Sequence, residues 1–64
     1  MQNRIKQLRK QAGLRQEDLA QEMGVTRQTI IAIENNKYDP TLALAFHLAQ
    51  VLGTTVDALF RPAQ

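Results

Sequence analysis

Residues 16–35 read QEDLAQEMGVTRQTIIAIEN, a run that predicts two short helices joined by a tight turn. Glycine adopts a positive φ without steric cost, so Gly24 is suited to turn the chain between them. The small side chain of Ala20 lets the two helices approach each other closely. The apolar residues expected to fill their contact are Leu19, Ala20, Met23, Val25, Ile30 and Ile33. We therefore expect helices over about 16–23 and 27–34 that cross steeply.

Three more short helices are expected around this pair, over about 2–12, 42–52 and 56–60. No run of alternating residues is long enough to predict a strand. In the first and fourth helices, side chains at helical spacing are expected in the core: Ile5, Leu8 and Ala12, then Leu42, Ala45, Leu48, Ala49 and Leu52. The prediction is an all-α fold, a compact arrangement of five helices in a single domain, 1–64.

Cap residues mark the ends of these helices. A threonine hydroxyl can accept a hydrogen bond from a free amide of the first turn, and glycine ends a helix readily. The residues in these roles are Thr26, Thr41 and Thr55 at helix starts, and Gly13, Gly24 and Gly53 at helix ends. Pro62 is expected to stop the last helix, and 35–40 is a loop by composition. Arg15 is the exception, because Ser, Thr or Asp is preferred before a helix.

The composition restricts the classes of function. With 64 residues the chain can build one core, and a domain of this size buries only roughly 60% of its unfolded surface, so a partner subunit would help it. The absence of cysteine excludes disulfides and thiolate-bound zinc. No segment approaches the roughly 20 apolar residues that span a bilayer, and no signal peptide is visible. We expect a cytoplasmic protein without a membrane partner.

The charges are unevenly distributed, although their sum is only +2. The first fifteen residues hold five cations and no acid, and three acids follow closely: Arg4, Lys6, Arg9, Lys10 and Arg15, then Glu17, Asp18 and Glu22. One interpretation is a basic surface for phosphates opposite an acidic one. The other is a solvated helix face, and the charge pattern alone favours neither.

The outer face of the helix over 27–34 carries side chains suited to base edges. Ile30 and Ile33 point inward on a helical wheel, which leaves four residues on the opposite side: Arg27, Gln28, Ile31 and Ala32. Arg27 can pair with guanine and Gln28 with adenine through two hydrogen bonds each. An exposed Ile31 gains nothing in a soluble monomer, but it can contact the methyl group of thymine. This face is predicted to read DNA sequence.

The stretches RIKQLR (4–9), QEDLA (16–20), GVTRQTI (24–30) and IENNKYDP (33–40) resemble the lambda Cro and repressor type of helix-turn-helix, also called the xenobiotic-response-element family. The resemblance covers 4–60 and is nearest to the short, single-domain bacterial and phage regulators of that family. It implies a lambda-repressor-like fold with its motif at about 16–35 and the third helix in the major groove of double-stranded DNA.

The resemblance also implies roles for polar side chains. The amide of Gln16, at the start of the second helix, is expected to bind a phosphate where the helix N-terminus adds partial positive charge. Arg9 and Glu34 match a salt-bridged pair that links the first helix to the third. The residues expected at phosphates are Arg15, Gln16, Thr26, Asn35 and Lys37.

Two residues depart from the family pattern. Family members commonly carry a polar residue at the position of Ile31, so methyl contact replaces hydrogen-bonded readout there. Arg15 stands where Thr or Ser is usual, which weakens the helix start but adds a cation beside the phosphates.

The last two helices carry more apolar residues than a core of this size needs. Leu44 and Val51 lie seven positions apart beside the core stripe, and Val56 and Phe60 follow. We interpret these four residues as a homodimer interface; the alternative is a wide core face with some exposed aliphatic side chains. A two-fold dimer would place the recognition helices about 34–36 Å apart and require an inverted-repeat site.

The function expected is that of a transcriptional regulator, a repressor of a palindromic operator that needs no cofactor and no small-molecule effector. The alternative is an antitoxin-like or adaptor module that acts through a protein partner. An enzyme is not expected, because the sequence shows no activated nucleophile, no carboxylate pair in an apolar setting and no glycine-rich phosphate loop. His47 has no companion at metal-ligand spacing, and Tyr38 is expected to pack against or cap its loop.

Overall fold

The computed structural model describes residues 2–61, in which five helices and one pair of short strands form the fold. The helices are α1 (Ile5–Gln11), α2 (Gln16–Met23), α3 (Arg27–Glu34), α4 (Leu42–Val51) and α5 (Val56–Leu59). The strands β1 (Gln2–Asn3) and β2 (Phe60–Arg61) pair antiparallel, with Gln2 opposite Arg61 and Asn3 opposite Phe60. The predicted fold of five helices is confirmed, and the strand pair is an addition to it.

The core lies where α2 packs against α3 and α4. Full burial of one Ile or Leu side chain stabilises the fold by about 1.5–3 kcal/mol relative to leaving that side chain exposed. The largest fully buried side chains come from all five helices: Ile5, Leu19, Ile30, Ile33, Leu48 and Leu59. The predicted core of the α2–α3 pair is therefore confirmed, with Ala20 at 4% exposure where small size was required.

The predicted threonine caps are present at three helix starts. The side-chain oxygens of Thr26, Thr41 and Thr55 each accept a hydrogen bond from the backbone amide three residues later, at 3.2, 3.2 and 3.1 Å. At the start of α2, where Arg15 offers no cap, the carboxylate of Asp18 instead accepts the backbone amide of Arg15 at 2.9 Å. This bond is one half of a capping box, and it helps to hold the helix start although Arg15 stands where Ser, Thr or Asp is preferred.

Three predictions for the chain ends were wrong. The first helix begins at Ile5 rather than near residue 2, because the preceding residues are extended and pair with β2. The amide of Arg4 donates to the carbonyl of Leu59 at 2.9 Å, which ties the two ends together. For the same reason Phe60 belongs to β2 and not to the last helix. The expectation of no strand failed because two-residue strands leave no alternation to detect. Pro62 lies outside the described residues.

Two expected core residues lie on the surface. Ala12 follows the last residue of α1 and is exposed. Leu42, the first residue of α4, is 69% exposed because it lies at the edge of the apolar stripe. The buried residues of that stripe are Ala45, Leu48 and Ala49. Helix α4 also ends at Val51, one residue before the predicted Leu52.

Replacing Gly24 with alanine should lower the free energy of unfolding by about 1–2 kcal/mol, the cost of holding an L side chain in the left-handed region. Gly24 has a φ of 68°, and a methyl group there would meet no atom within 4 Å, so the backbone alone sets the cost. Gly24→Asn should cost less, because asparagine tolerates this conformation. Urea denaturation measures all three proteins; a Gly24→Ala variant as stable as the wild type would contradict the prediction.

Candidate nucleic-acid interface

The outer face of α3 is accessible in the structure. Arg27 and Gln28 are exposed, and Ile31 and Ala32 are half-buried. On the opposite side of the helix Ile30 and Ile33 are buried, each at 1% exposure. The helix therefore presents two polar and two apolar side chains outward while its inner side chains anchor it. The inward and outward sides agree with the prediction, except that Ile31 is half-buried rather than exposed.

A buried ion pair fixes the C-terminal end of α3 to α1. Arg9 Nε lies 2.7 Å from Glu34 Oε2, and the two side chains are 8% and 2% exposed. Arg9 Nη1 also donates to the carbonyl of Leu14 at 2.8 Å, and Nη2 lies 3.4 Å from Glu34 Oε1. Within 2–61 every buried side-chain nitrogen or oxygen has a hydrogen-bond partner. The pair that the resemblance implied is thus present, and its charges are matched where burial would otherwise be costly.

Gln16 belongs to the same network. Its Nε2 donates to Glu34 Oε1 at 3.2 Å, so this side chain from the start of α2 is oriented by the end of α3. Gln16 is half-buried, and it is the first residue of the helix. The free amides of a helix N-terminus attract anions. The Glu34 contact therefore orients the Gln16 side chain beside the N-terminus of α2.

An open cleft of about 330 Å³ lies beside the N-terminus of α2. Its lining brings together three cationic side chains, one amide, one acid and one leucine: Arg9, Arg15, Arg27, Gln16, Glu17 and Leu14. The sequence assigned Arg15 and Gln16 to phosphates and Arg27 to bases, and the structure places all three around one cleft. No sequence signal places Arg27, the first residue of α3, beside this cleft.

Arg15 is exposed, and two acids accompany it. Its Nη1 lies 3.1 Å from Glu17 Oε1, and its Nε lies 3.1 Å from Asp18 Oδ2. The hydrogen bond with Asp18 raises the pKa of Arg15, and the same bond lowers the pKa of Asp18. Arg15 therefore stays charged, but its charge is shared with neighbouring carboxylates before any phosphate arrives.

The loop after α3 carries the other expected phosphate ligands, Asn35 and Lys37, both exposed. The amide of Lys37 donates to the carbonyl of Ala32 at 2.8 Å, and that of Asn36 donates to Ile33 at 3.1 Å. Asn36 has a φ of 60°. These features form a Schellman motif, which ends a helix with one left-handed residue. The loop therefore starts from a defined backbone geometry.

Tyr38 lies closer to the outer face of α3 than the sequence indicated. It is 48% exposed and, with Gln28 and Ala32, lines a second open depression of about 330 Å³. The sequence suggested that this ring packs against or caps its loop. No local signal places Tyr38 and Gln28 around the same depression, because this placement depends on how the loop folds back along α3.

The four residues interpreted as a dimer interface do not form an exposed patch. Phe60 is buried in the core at 7% exposure, and Leu44, Val51 and Val56 are half-buried against that core. For Phe60 the expectation of an interface residue is corrected, because its side chain lies in the core and its backbone pairs with β1. Leu44, Val51 and Val56 remain partly accessible. The large exposed apolar side chains of the last helices are instead Leu42 and Phe46 on α4, at 69% and 56% exposure.

Other kinds of site are not apparent in the described part of the chain. Residues 2–61 contain no group of three or more His, Cys, Asp or Glu side chains that could hold a metal ion. None of the helices there has the length and apolar character needed to cross a membrane.

Comparison with known proteins gives consistent matches. The family model described as helix-turn-helix matches residues 5–59. An uncharacterized HTH-type transcriptional regulator of Methanocaldococcus jannaschii is 52% identical over 60 residues, which cover 94% of this chain and 91% of that protein. The solved complex of the SinR and SinI proteins contains a chain with a TM-score of 0.76 and 33% identity, over 83% of this chain and 52% of that one.

An enzyme also contains a similar unit. The solved hydroxypropylphosphonic acid epoxidase from S. wedmorenis has a TM-score of 0.83 and 36% identity over 94% of this chain. The chain spans only 32% of the length of that epoxidase. The similarity therefore concerns part of the enzyme, and its activity carries no conclusion for this chain.

Replacing Glu34 with alanine should lower the free energy of unfolding by about 3–5 kcal/mol, because it leaves the guanidinium of Arg9 buried and unpaired. The double variant Arg9→Met, Glu34→Leu should recover much of that loss, since it removes both charges. Glu17→Ala is the control, because its pair with Arg15 is exposed. Denaturant titration gives the free energy of unfolding of the single and double variants. If Glu34→Ala lowers it no more than Glu17→Ala does, the buried pair does not stabilise the fold as predicted.

Proposed function

Because the chain belongs to the helix-turn-helix family of DNA-binding transcriptional regulators, we propose that it is a repressor that binds a palindromic operator as a homodimer, with α3 in the major groove. The observation that carries this proposal is the outer face of α3, where Arg27 and Gln28 are exposed while Ile30 and Ile33 are buried. A helix so anchored can enter the groove without disturbing the core.

The outer face of α3 has the chemistry to distinguish base pairs. Arg27 offers two donors to the O6 and N7 atoms of guanine, and Gln28 offers a donor and an acceptor to adenine. Ile31 and Ala32 give apolar surface to a thymine methyl group. The half-buried state of these two side chains supports the proposal, because partly packed side chains lose little further entropy on contact.

Phosphate contacts would flank α3 on both sides. The cleft at the start of α2 supplies Arg15 and Gln16, and Thr26 stands at the start of α3. The loop after α3 supplies Asn35 and Lys37. Contacts at two sides fix the register of the helix on the duplex but carry no sequence information themselves.

Two considerations support the homodimer: the length of DNA that one helix can read, and the exposed apolar side chains of α4. One short helix reads few base pairs, and a two-fold dimer doubles the site at a spacing of about 34–36 Å. The half-buried residues of the expected interface are Leu44, Val51 and Val56. Leu42 and Phe46 add the apolar surface that a second copy could cover.

Repression is the simplest outcome of such binding, because occupancy of an operator can exclude other proteins without further chemistry. No catalytic role is proposed. DNA binding would keep the protein on the nucleoid.

A second candidate is a module that acts through a protein partner, and the exposure of Leu42 and Phe46 is the observation that favours it. Charge reversal at Arg27 discriminates between the two. A biological effect that survives Arg27→Glu would assign the active surface to α4 and overturn the DNA-binding proposal.

Selection of bound duplexes from a random pool tests the proposed function directly. The expected consensus is an inverted repeat with half-sites one helical turn apart, about 10 base pairs. A consensus with a single half-site would overturn the homodimer, and the absence of any enriched sequence would overturn specific DNA binding.

Replacing Gln28 with alanine should weaken binding to the selected duplex by about 1–3 kcal/mol and relax the preference at one position of each half-site. The reason is the loss of paired hydrogen bonds to one base. Gln50→Ala is the matched control, since Gln50 is an exposed glutamine on α4. Titrations against the selected duplex and against variants at each position measure the effect; equal losses for the two variants would contradict the assignment.

Replacing Lys37 with alanine should weaken binding to specific and random duplexes alike and lower the salt slope by about one, because one phosphate contact releases about one counterion. Lys10→Ala removes an exposed lysine from α1 and should leave the slope unchanged. Binding measured at several salt concentrations gives both slopes. A Lys37→Ala loss confined to one sequence would show that Lys37 reads a base instead.

A further inference from the structure

The side chain of Asn3 joins the start of the chain to the end of α3. Its Nδ2 donates to the carbonyl of Ile33 at 2.8 Å and to Asn36 Oδ1 at 3.0 Å. Its Oδ1 accepts the amide of Ile5 at 3.1 Å, which satisfies a free amide at the start of α1. One side chain therefore caps α1 and also holds the last turn of α3, thirty residues away in sequence.

The partner residue Asn36 stands just past the end of α3, where three of the other helices are followed by glycine. Each of α1, α2 and α4 is followed within two residues by a glycine of positive φ, namely Gly13, Gly24 and Gly53. Asn36 has a similar φ of 60°. Asparagine enters this region at a higher free energy than glycine does. A residue that served only to end α3 would be better as glycine, so the side chain of Asn36 has a further use.

Asn36 also stands between the two loop residues proposed to bind phosphate, Asn35 and Lys37. Its side-chain oxygen accepts from Asn3, and Asn3 is held in turn by the pairing of β1 with β2. The carbonyl of Ile33 receives two donors, the Asn36 amide at 3.1 Å and Asn3 Nδ2 at 2.8 Å. The loop is thus fixed through its side chain as well as its backbone.

We propose that Asn3 and Asn36 form a clamp that positions the loop over 35–37 for phosphate binding, so that both are positioning residues for DNA recognition. This inference rests on the proposed function. The clamp connects the strand pair to the DNA-contacting loop and holds Lys37 at a fixed distance from the outer face of α3.

Asn36→Gly separates positioning from stability. Glycine relieves the backbone cost at φ 60°, which offsets the lost exposed hydrogen bond and the greater entropy of the unfolded chain, so the urea midpoint should stay close to that of the wild type. It should nevertheless bind the selected duplex about two- to tenfold more weakly, the range that one ordinary hydrogen bond supports. The salt slope should fall by up to about one as the Lys37 contact loosens.

Asn3→Ser tests the clamp from its other side. Serine is a good helix cap, so it can still accept the amide of Ile5, but it is too short to reach Ile33 and Asn36. We expect the same loss of affinity for the selected duplex and the same change in salt slope. The double variant Asn3→Ser, Asn36→Gly should bind only slightly more weakly than either single variant. Gln2→Ala, which alters an exposed neighbour of Asn3, is the matched control.

The outcomes separate the inference from the proposed function. If the wild type binds its selected duplex and both clamp variants bind it equally well, the clamp is overturned alone. If the urea midpoint of Asn36→Gly falls as far as that of Gly24→Ala, Asn36 has a structural role and the inference also fails. If the wild type binds no duplex, the proposed function is overturned and the clamp with it.

Discussion

The arrangement of the three N-terminal helices depends on one buried carboxylate. Glu34 ends α3 with its side chain 2% exposed, and it receives Arg9 from α1 and Gln16 from α2. A charge at that depth is tolerated only when its partners are in place, because the desolvation cost is otherwise unmet. Any shift of one helix against another would break a charged contact. The ion pair therefore fixes α1 against α3, and the hydrogen bond from Gln16 fixes the start of α2 against the end of α3.

The same carboxylate connects the frame to the proposed DNA-binding surface. Gln16 is half-buried at the start of α2, and its bond to Glu34 links the proposed phosphate site to the proposed recognition helix α3. At the other end of α3, Thr26 caps the first turn. The helix is thus held at both ends, and little of the binding free energy should be spent on ordering it.

Local signals in the sequence were sufficient for much of this architecture. The threonine caps, the turn at Gly24 and the inward and outward sides of α3 follow from rules that act over three or four residues. The pairing of Arg9 with Glu34 came from the family resemblance and has no local signal. Asn3 was missed altogether, since its partners lie at the far end of the motif. The placement of Phe60 on an interface was wrong, because its position depends on a strand pair too short to leave a pattern.

The pairing of β1 with β2 has a consequence for how the unit can be joined to other polypeptides. Because Gln2 lies opposite Arg61, the chain enters and leaves the folded unit at nearly the same point. A neighbouring domain or a reporter would emerge from one spot whether it were fused before the unit or after it. Gene fusions in either order would thus tether the unit in the same orientation.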